Sequence, residues 1–211
     1  MANERHIDVR GWEIDSSTRQ SVHPYTKYSP FRSATSTTAS NLLSIDRGEI
    51  AVNSVPNPRI EVDASGYTAV GSAIARDTGQ QATGAASLLT NPANSAAGEG
   101  FYWDSPVIAF DISPQHLTAQ CEVRGASASG SVKIQITDAA GTELATSANT
   151  NLTTSFAQIT ASYTIPGSTA AAAYRVYVVS AAQHNINWYT DKIMFEVRED
   201  TNAVSTYVDG A

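Results

Sequence analysis

Cysteine, charge and long apolar runs are all scarce in this chain of 211 residues. Cys121 is the only cysteine, which excludes an intrachain disulfide and a thiolate metal cluster. Its parity within Thr118–Arg124 matches Ala119 and Val123, so it reads as a small buried hydrophobe and not as a nucleophile. No apolar stretch approaches a transmembrane length. The opening Met1-Ala-Asn-Glu-Arg-His6 lacks the hydrophobic run of a signal peptide, so export by the general secretory route is not expected. Basic residues are short as well. There are 13 Lys and Arg against 20 Asp and Glu, a formal net charge of -7. Residues 1–50 carry six of each sign, while residues 51–211 carry seven basic and fourteen acidic residues. An acidic domain without a basic stripe disfavours nucleic acid and an anionic membrane surface as partners.

Catalytic signatures are lacking too. His6, His23, His116 and His184 are scattered, none at metal-ligand spacing with another His or acid, and His116 and His184 fall in predicted loops. Neither a Gly-x-Ser-x-Gly elbow nor a P-loop occurs. Gly125-Ala-Ser-Ala-Ser-Gly130 reads as a flexible hairpin loop, not a phosphate cradle. Glu99, Asp104 and Asp111 are the acids available for a glycosidase pair, but isolated acids on loops read as surface charge. No enzyme is expected.

What the chain does contain is a succession of period-two segments, and hardly any helical pattern. Side chains alternate between the faces of a strand, so one parity of each segment should face a core. In Asn187–Val197, Tyr189, Asp191, Ile193, Phe195 and Val197 share one parity, while Trp188, Thr190, Lys192, Met194 and Glu196 share the other. That reading sets the acid Asp191 among apolar neighbours, where it must be hydrogen-bonded, paired or metal-bound. Val132, Ile134 and Ile136 alternate with polar residues, and Asp138-Ala-Ala-Gly141 is a turn from which Thr142–Ala145 returns as a hairpin. Ile159, Ala161, Tyr163 and Ile165 alternate over Gln158–Ile165, which Pro166-Gly167 ends. Further strands are predicted over Glu49–Val52, Arg59–Val62, Tyr67–Ala75, Ala85–Leu89, Phe101–Trp103, Val107–Phe110, Thr118–Arg124 and Tyr174–Val179. About eight to ten short strands with turns between them predict a β-sandwich.

Residues 1–48 differ from the rest. Arg5–Asp15 is a strand candidate, and Ser16–Ser40 is polar with too few apolar residues for a core of its own. The segment reads as an extended arm whose Trp12, Tyr25, Tyr28 and Phe31 insert into neighbouring chains or the domain's outer surface, or else as a disordered tail. The chain then divides into an arm over 1–48, a β-sandwich over 49–200 and a short tail over 201–211. The abundance of Ala, Ser and Thr in place of charge, at 16% charged residues, is common in β-rich secreted or virion proteins.

A series of motifs in one order carries a resemblance. Asn57-Pro-Arg-Ile-Glu61 comes first, then Gly84-Ala-Ala-Ser-Leu88, then Ile112-Ser-Pro114 running into Thr118–Arg124. Val132–Ile136 with Asp138-Ala-Ala-Gly141 follows, then Phe156 with Thr164-Ile-Pro166, then Tyr189-Thr-Asp-Lys-Ile193. Over about residues 49–200 this resembles the carbohydrate-binding-module-like jelly roll. Ser205-Thr-Tyr-Val-Asp-Gly210 is similar to the ending that follows this domain in minor tail proteins of phages infecting actinobacteria. Two residues depart from the pattern: Ile60 stands where the family usually has Phe, and Phe156 where Trp is frequent. Both keep apolar bulk.

The resemblance implies an all-β, jelly-roll β-sandwich preceded by an extended N-terminal arm. It implies a structural virion protein, a phage minor tail protein assembled in the host cytoplasm as a homo-oligomer with other tail or head subunits. A capsid decoration protein, or a glycan-binding module of a secreted carbohydrate-active protein, are the alternatives. It further implies a structural Ca²⁺ with Glu61 and Asp191 as carboxylate ligands and backbone carbonyls completing the shell. The other reading of Asp191 is an acceptor of backbone N–H groups or a partner of Lys or Arg. Host-surface glycans would stack on Tyr102, Trp103, Tyr177 and Trp188; alternatively these rings are buried against a neighbouring subunit.

Overall fold

A computed structural model describes three short strands near the N-terminus and residues 53–55, 57–58, 60–109 and 114–198. Two compact units divide the chain, Met1–Ile50 and Ala51–Ala211. In the first, β1 (Arg5–Ile7), β2 (Glu13–Asp15) and β3 (Gln20–Val22) form an antiparallel sheet in that order, with Arg5 opposite Asp15 and Glu13 opposite Val22. The single strand expected over Arg5–Asp15 is therefore two, β1 and β2. Part of the stretch read as extended, Gln20–Val22, is the third strand. Trp12, Tyr25, Tyr28 and Phe31, the strand expected over Glu49–Val52, and the tail over 201–211 lie outside the described residues.

The second unit is a β-sandwich, and its described residues contain no helix. Its strands are β4 (Thr68–Val70), β5 (Ser72–Asp77), β6 (Ser87–Pro92), β7 (Gly100–Asp104), β8 (Gln115–Gly125), β9 (Ser131–Asp138), β10 (Glu143–Thr146), β11 (Thr150–Asn151), β12 (Ala157–Ile165), β13 (Tyr174–Ser180) and β14 (Trp188–Arg198). One sheet runs β10-β9-β13-β7-β4, with β11 also paired to β9. The other runs β12-β8-β14-β6-β5. All pairings are antiparallel, and the jelly roll expected from the sequence is the architecture observed.

Alternation builds the core. Val132, Ile134 and Ile136 with Val176, Val178, Phe101 and Trp103 project from the first sheet; Leu117, Ala119, Cys121 and Val123 with Ile159, Ala161 and Phe195 project from the second. Burying one of the larger of these side chains contributes about 1.5–3 kcal/mol. Burial also pushes the Cys121 thiol far above its ordinary pKa, as suits an inert core residue.

Several boundaries differ from the sequence pattern. Tyr67–Ala75 is broken at Gly71, whose φ of 55° sends β4 into one sheet and β5 into the other. In the strand expected over Arg59–Val62, Arg59 lies outside the described residues and Ile60–Val62 is no strand but a bend in which buried Ile60 has a φ of 57°. Of the strand expected over Val107–Phe110, the described residues 107–109 supply a bridge between Ile108 and Ala172, and Phe110 lies outside them. Gly125–Gly130 crosses from one sheet to the other and closes no hairpin, because β8 and β9 belong to different sheets. His116 lies on β8, where its Nδ1 is 3.0 Å from Thr164 Oγ1, and not in a loop. The Asp138–Gly141 turn forms as expected: Asp138 Oδ1 accepts the Thr142 N–H at 2.8 Å, and Gly141 has a φ of 90°.

The last strand carries the largest correction. Thr190 stands opposite Val123 and Asp191 opposite Glu122, but the register then shifts, and Met194 stands opposite Gln120. Lys192 within this bulge has a φ of 49°. An inserted residue reverses the parity of whatever follows it. Trp188 and Thr190 therefore share the core side with Val123, and beyond the bulge Ile193, Phe195 and Val197 take it. Tyr189 and Asp191 align with Arg124 and Glu122 on the opposite side. Asp191 is nonetheless fully buried.

Candidate functional site: an acid-capped loop and a half-buried tyrosine pair

Asp191 is covered by the loop that leads into β6. Its Oδ2 accepts the N–H groups of Ala82 at 2.7 Å and Thr83 at 2.8 Å, and its Oδ1 accepts that of Lys192 at 2.6 Å. Burial raises its pKa, these three N–H bonds oppose the shift, and nearby Glu122 adds to it. Glu61 holds the next turn of the same loop, both its oxygens accepting the Ala85 N–H at 2.9 and 3.1 Å. Gly84 has a φ of 68°, and a Cβ there would collide with Glu61 Oε1. Arg76 on β5 closes the cluster, its Nε donating to the carbonyls of Ile60 at 3.1 Å and Glu61 at 2.9 Å. Lys192 Nζ pairs with Glu122 Oε1 at 2.8 Å.

These residues do not form a cage for Ca²⁺ in this arrangement. A calcium shell needs six to eight oxygens facing the ion. Here Asp191 Oδ2 already accepts two N–H groups, Glu61 faces an N–H, and the adjacent carbonyls of Ile60 and Glu61 face a guanidinium. Among the described residues no three His, Cys, Asp or Glu side chains converge. The cluster instead ties the opening segment, the β5–β6 loop and the final strand through amide-capping carboxylates. The acid at Asp191 was visible in the sequence; Arg76 was not, because nothing in its spacing marks the carbonyls it serves.

A second acid works in the same way. Glu99 is 3% exposed, and its carboxylate accepts the N–H groups of Asn94, Ser95 and Ala96 and the Ser95 hydroxyl. The Ser95 hydroxyl bond is the main cause holding its pKa below the usual carboxylate range, against the opposing effect of burial. His184 is also engaged: Ile186 N–H donates to its Nδ1, and its Nε2 lies 3.2 Å from the Ser131 carbonyl, so Nε2 carries the proton.

Of the four aromatic residues expected to present platforms, the structure brings two together and buries two. Trp188 is fully buried against His184, ring centroids 5.6 Å apart, and Trp103 is 1% exposed against Phe101 and Tyr67. Neither can stack on a ligand. Tyr102 and Tyr177 stand directly opposite one another on β7 and β13, on the side of the sheet away from the core. Their rings are half-buried, with centroids 5.2 Å apart and planes inclined at 45°. Thr68 stands beyond Tyr102 and Gln135 beyond Tyr177, completing one row across the sheet. In the next row Arg175 pairs with Asp104 at 2.8 Å, and its guanidinium lies 4.2 Å from the Tyr102 ring centroid. Gln135 Nε2 donates to Glu143. The face thus offers the Tyr177 ring and the part of Tyr102 that the Arg175 guanidinium leaves uncovered, edged by hydrogen-bonding groups of both signs. Asp104, one of the acids weighed for a glycosidase pair, is held in an ion pair; Asp111 lies outside the described residues. Arg175 was missed in the sequence, although it shares the parity of Tyr177 two residues away.

Solved structures similar to this chain were found, with low identity. The structure of an arabinose-bound α-L-arabinofuranosidase, MgGH51, aligns with a TM-score of 0.54 at 15% identity, covering 70% of this chain and 26% of that one. The chain thus spans about a quarter of that protein's length. The CBM22-1 xylan-binding domain of Paenibacillus barcinonensis Xyn10C aligns at 0.48 and 16% identity, covering 71% of this chain and 92% of that one. The enzymatically active domain of bacteriophage CBA120 tailspike protein 4 aligns at 0.46 and 12% identity, covering 69% and 21%. At 15% identity the likeness to MgGH51 speaks to the fold alone. No protein-family model matches the sequence, and no curated protein matches it.

Proposed function

We propose that this chain is a glycan-binding jelly roll carried on a virion, a phage minor tail protein whose Tyr102–Tyr177 face contacts sugars of the host surface. The observation that carries the binding half is the tyrosine pair. Two rings on neighbouring strands, on the outer side of a sheet, project away from the core, and the ring surface that Arg175 leaves open is suited to the apolar face of a pyranose. Asp104, Arg175, Gln135 and Glu143 around them supply donors and acceptors for hydroxyls. Arg175 is paired with Asp104 and Glu143 adds a carboxylate, which favours a neutral glycan over an acidic one.

Binding and not catalysis is the reading because the described acids weighed for a glycosidase pair, Glu99 and Asp104, are committed, Asp111 lying outside the described residues. Asp191, Glu61 and Glu99 cap backbone amides and Asp104 holds Arg175. The virion half rests on the ordered motifs and on the ending Ser205–Gly210. Residues 1–48 then dock on neighbouring tail subunits, the ordering of the chain offset by aromatic and strand-pairing contacts. Mass spectrometry and limited proteolysis of purified virions test this half: the chain is expected in tail fractions with residues 1–48 protected. Its absence from virions overturns the tail assignment and leaves the glycan reading to be judged by retention on polysaccharides.

A further inference from the structure

The five-stranded sheet ends in β12, whose register with β8 runs unbroken from Ala157 opposite Val123 to Ile165 opposite Gln115. Among the described residues nothing pairs with its outer edge. Exposed edges are normally guarded by charge, proline, shortness or a bulge, because they template pairing with another chain. The other edges of this sandwich show those guards. β5 carries Arg76 and Asp77, β4 is 3 residues long, and β10 has 4 residues, Glu143 and a register shift. β12 has none of them. It is 9 residues long, without a charge, and proline appears only at Pro166.

The strand is also complementary to itself. Laid antiparallel against its own copy about Ala161, Ile159 meets Tyr163, Thr160 meets Ser162, Gln158 meets Thr164 and Ala157 meets Ile165. Apolar residues meet apolar ones on the core side and hydroxyl or amide residues meet on the other. Aromatic–β-branched and Thr–Ser cross-strand pairs of this kind are favourable. A chain of net charge -7 repels its copy over most of its surface, and a strand without charge is where that repulsion is least.

We propose that two copies pair through β12, in antiparallel register about Ala161, so that the two five-stranded sheets join into one. The partner is a second copy of this chain and not an unrelated strand, because the complementarity is of the strand with itself. The inference does not depend on the glycan-binding reading.

Sedimentation equilibrium of the full chain, from micromolar to near-millimolar concentration, tests it with two variants. Gln158 and Thr164 are exposed; each gives up one hydrogen bond to β8 on substitution, Gln158 to Gln120 and Thr164 to His116, and far-UV circular dichroism with a melting curve checks that the fold is kept. The wild type is expected to approach twice the 22.3 kDa chain mass. Gln158→Lys/Thr164→Lys sets lysine against lysine twice and should return the mass to that of one chain. Gln158→Lys/Thr164→Glu sets lysine against glutamate in the same register and should restore the dimer. A wild type monomeric throughout, a double-lysine variant that stays dimeric, or a charge-swapped variant that stays monomeric would each overturn the proposal.

Discussion

Thr83 and Asp191 lie 108 residues apart in the chain, and the Thr83 N–H reaches Asp191 Oδ2 at 2.8 Å. With Ala82 and Lys192 donating to the same carboxylate, one side chain holds the β5–β6 loop to the bulge of the last strand. Asp191→Ala leaves these donors without an acceptor, which is expected to destabilise the fold by about 3 kcal/mol. For a domain of this size that lowers the melting temperature by about 6–12 °C. Thermal denaturation checks it, and a melting temperature equal to wild type contradicts the capping role.

The two buried acids should respond to pH with opposite sign. Glu99, with its pKa held below the ordinary 4.5, contributes stability that is present above that value and lost as pH falls through its folded pKa. Asp191, with its pKa raised above 3.8, takes up a proton on folding. Its contribution therefore falls as pH rises from that value through its folded pKa, and is constant above. Urea unfolding across acidic pH of wild type, Glu99→Gln and Asp191→Asn reads both. The wild-type advantage over Glu99→Gln should shrink on acidification, and that over Asp191→Asn should shrink as pH rises.

Gly84 and Glu61 should be coupled. Gly84→Ala forces a Cβ into a left-handed φ of 68° and against Glu61 Oε1, at a cost of about 1–3 kcal/mol. In Gly84→Ala/Glu61→Ala the collision is gone and only the backbone strain and the lost cap remain. The double variant is therefore expected to lose less stability than the two single losses added together, which a double-mutant cycle measures.

Calcium should leave the protein unmoved. The carbonyls of Ile60 and Glu61 are served by Arg76, so added Ca²⁺ or a chelator is expected not to shift the melting temperature, whereas Arg76→Ala is expected to lower it. A stabilisation by Ca²⁺ in calorimetry would show instead that the carboxylates turn from the loop amides to a metal.

The sandwich was legible where apolar residues alternate without interruption, as at Val132–Ile136 and Ile159–Ile165. Asp191 was legible as a buried acid that needs partners. Its surroundings were not, because the bulge at Lys192 reverses the parity of β14, and nothing in Asn187–Val197 marks an inserted residue. The same reversal hid the burial of Trp188. Tyr102 and Tyr177 were each visible as aromatic, but their adjacency depends on the pairing of β7 with β13, 75 residues apart, which no local pattern encodes. Gly71 and Gly125 each mark a crossing between sheets, yet read in isolation they are ordinary turn residues.

The most direct measurement is affinity electrophoresis of the full chain through a panel of neutral polysaccharides, wild type beside Tyr102→Ala/Tyr177→Ala. Each ring is expected to supply about 1 kcal/mol, so the double variant should bind about 30-fold more weakly, with far-UV circular dichroism showing the β fold kept. Retardation of the wild type that the double variant loses is the predicted result. A wild type that runs free in every gel, or a double variant retarded as strongly as the wild type, would contradict glycan binding at the tyrosine face.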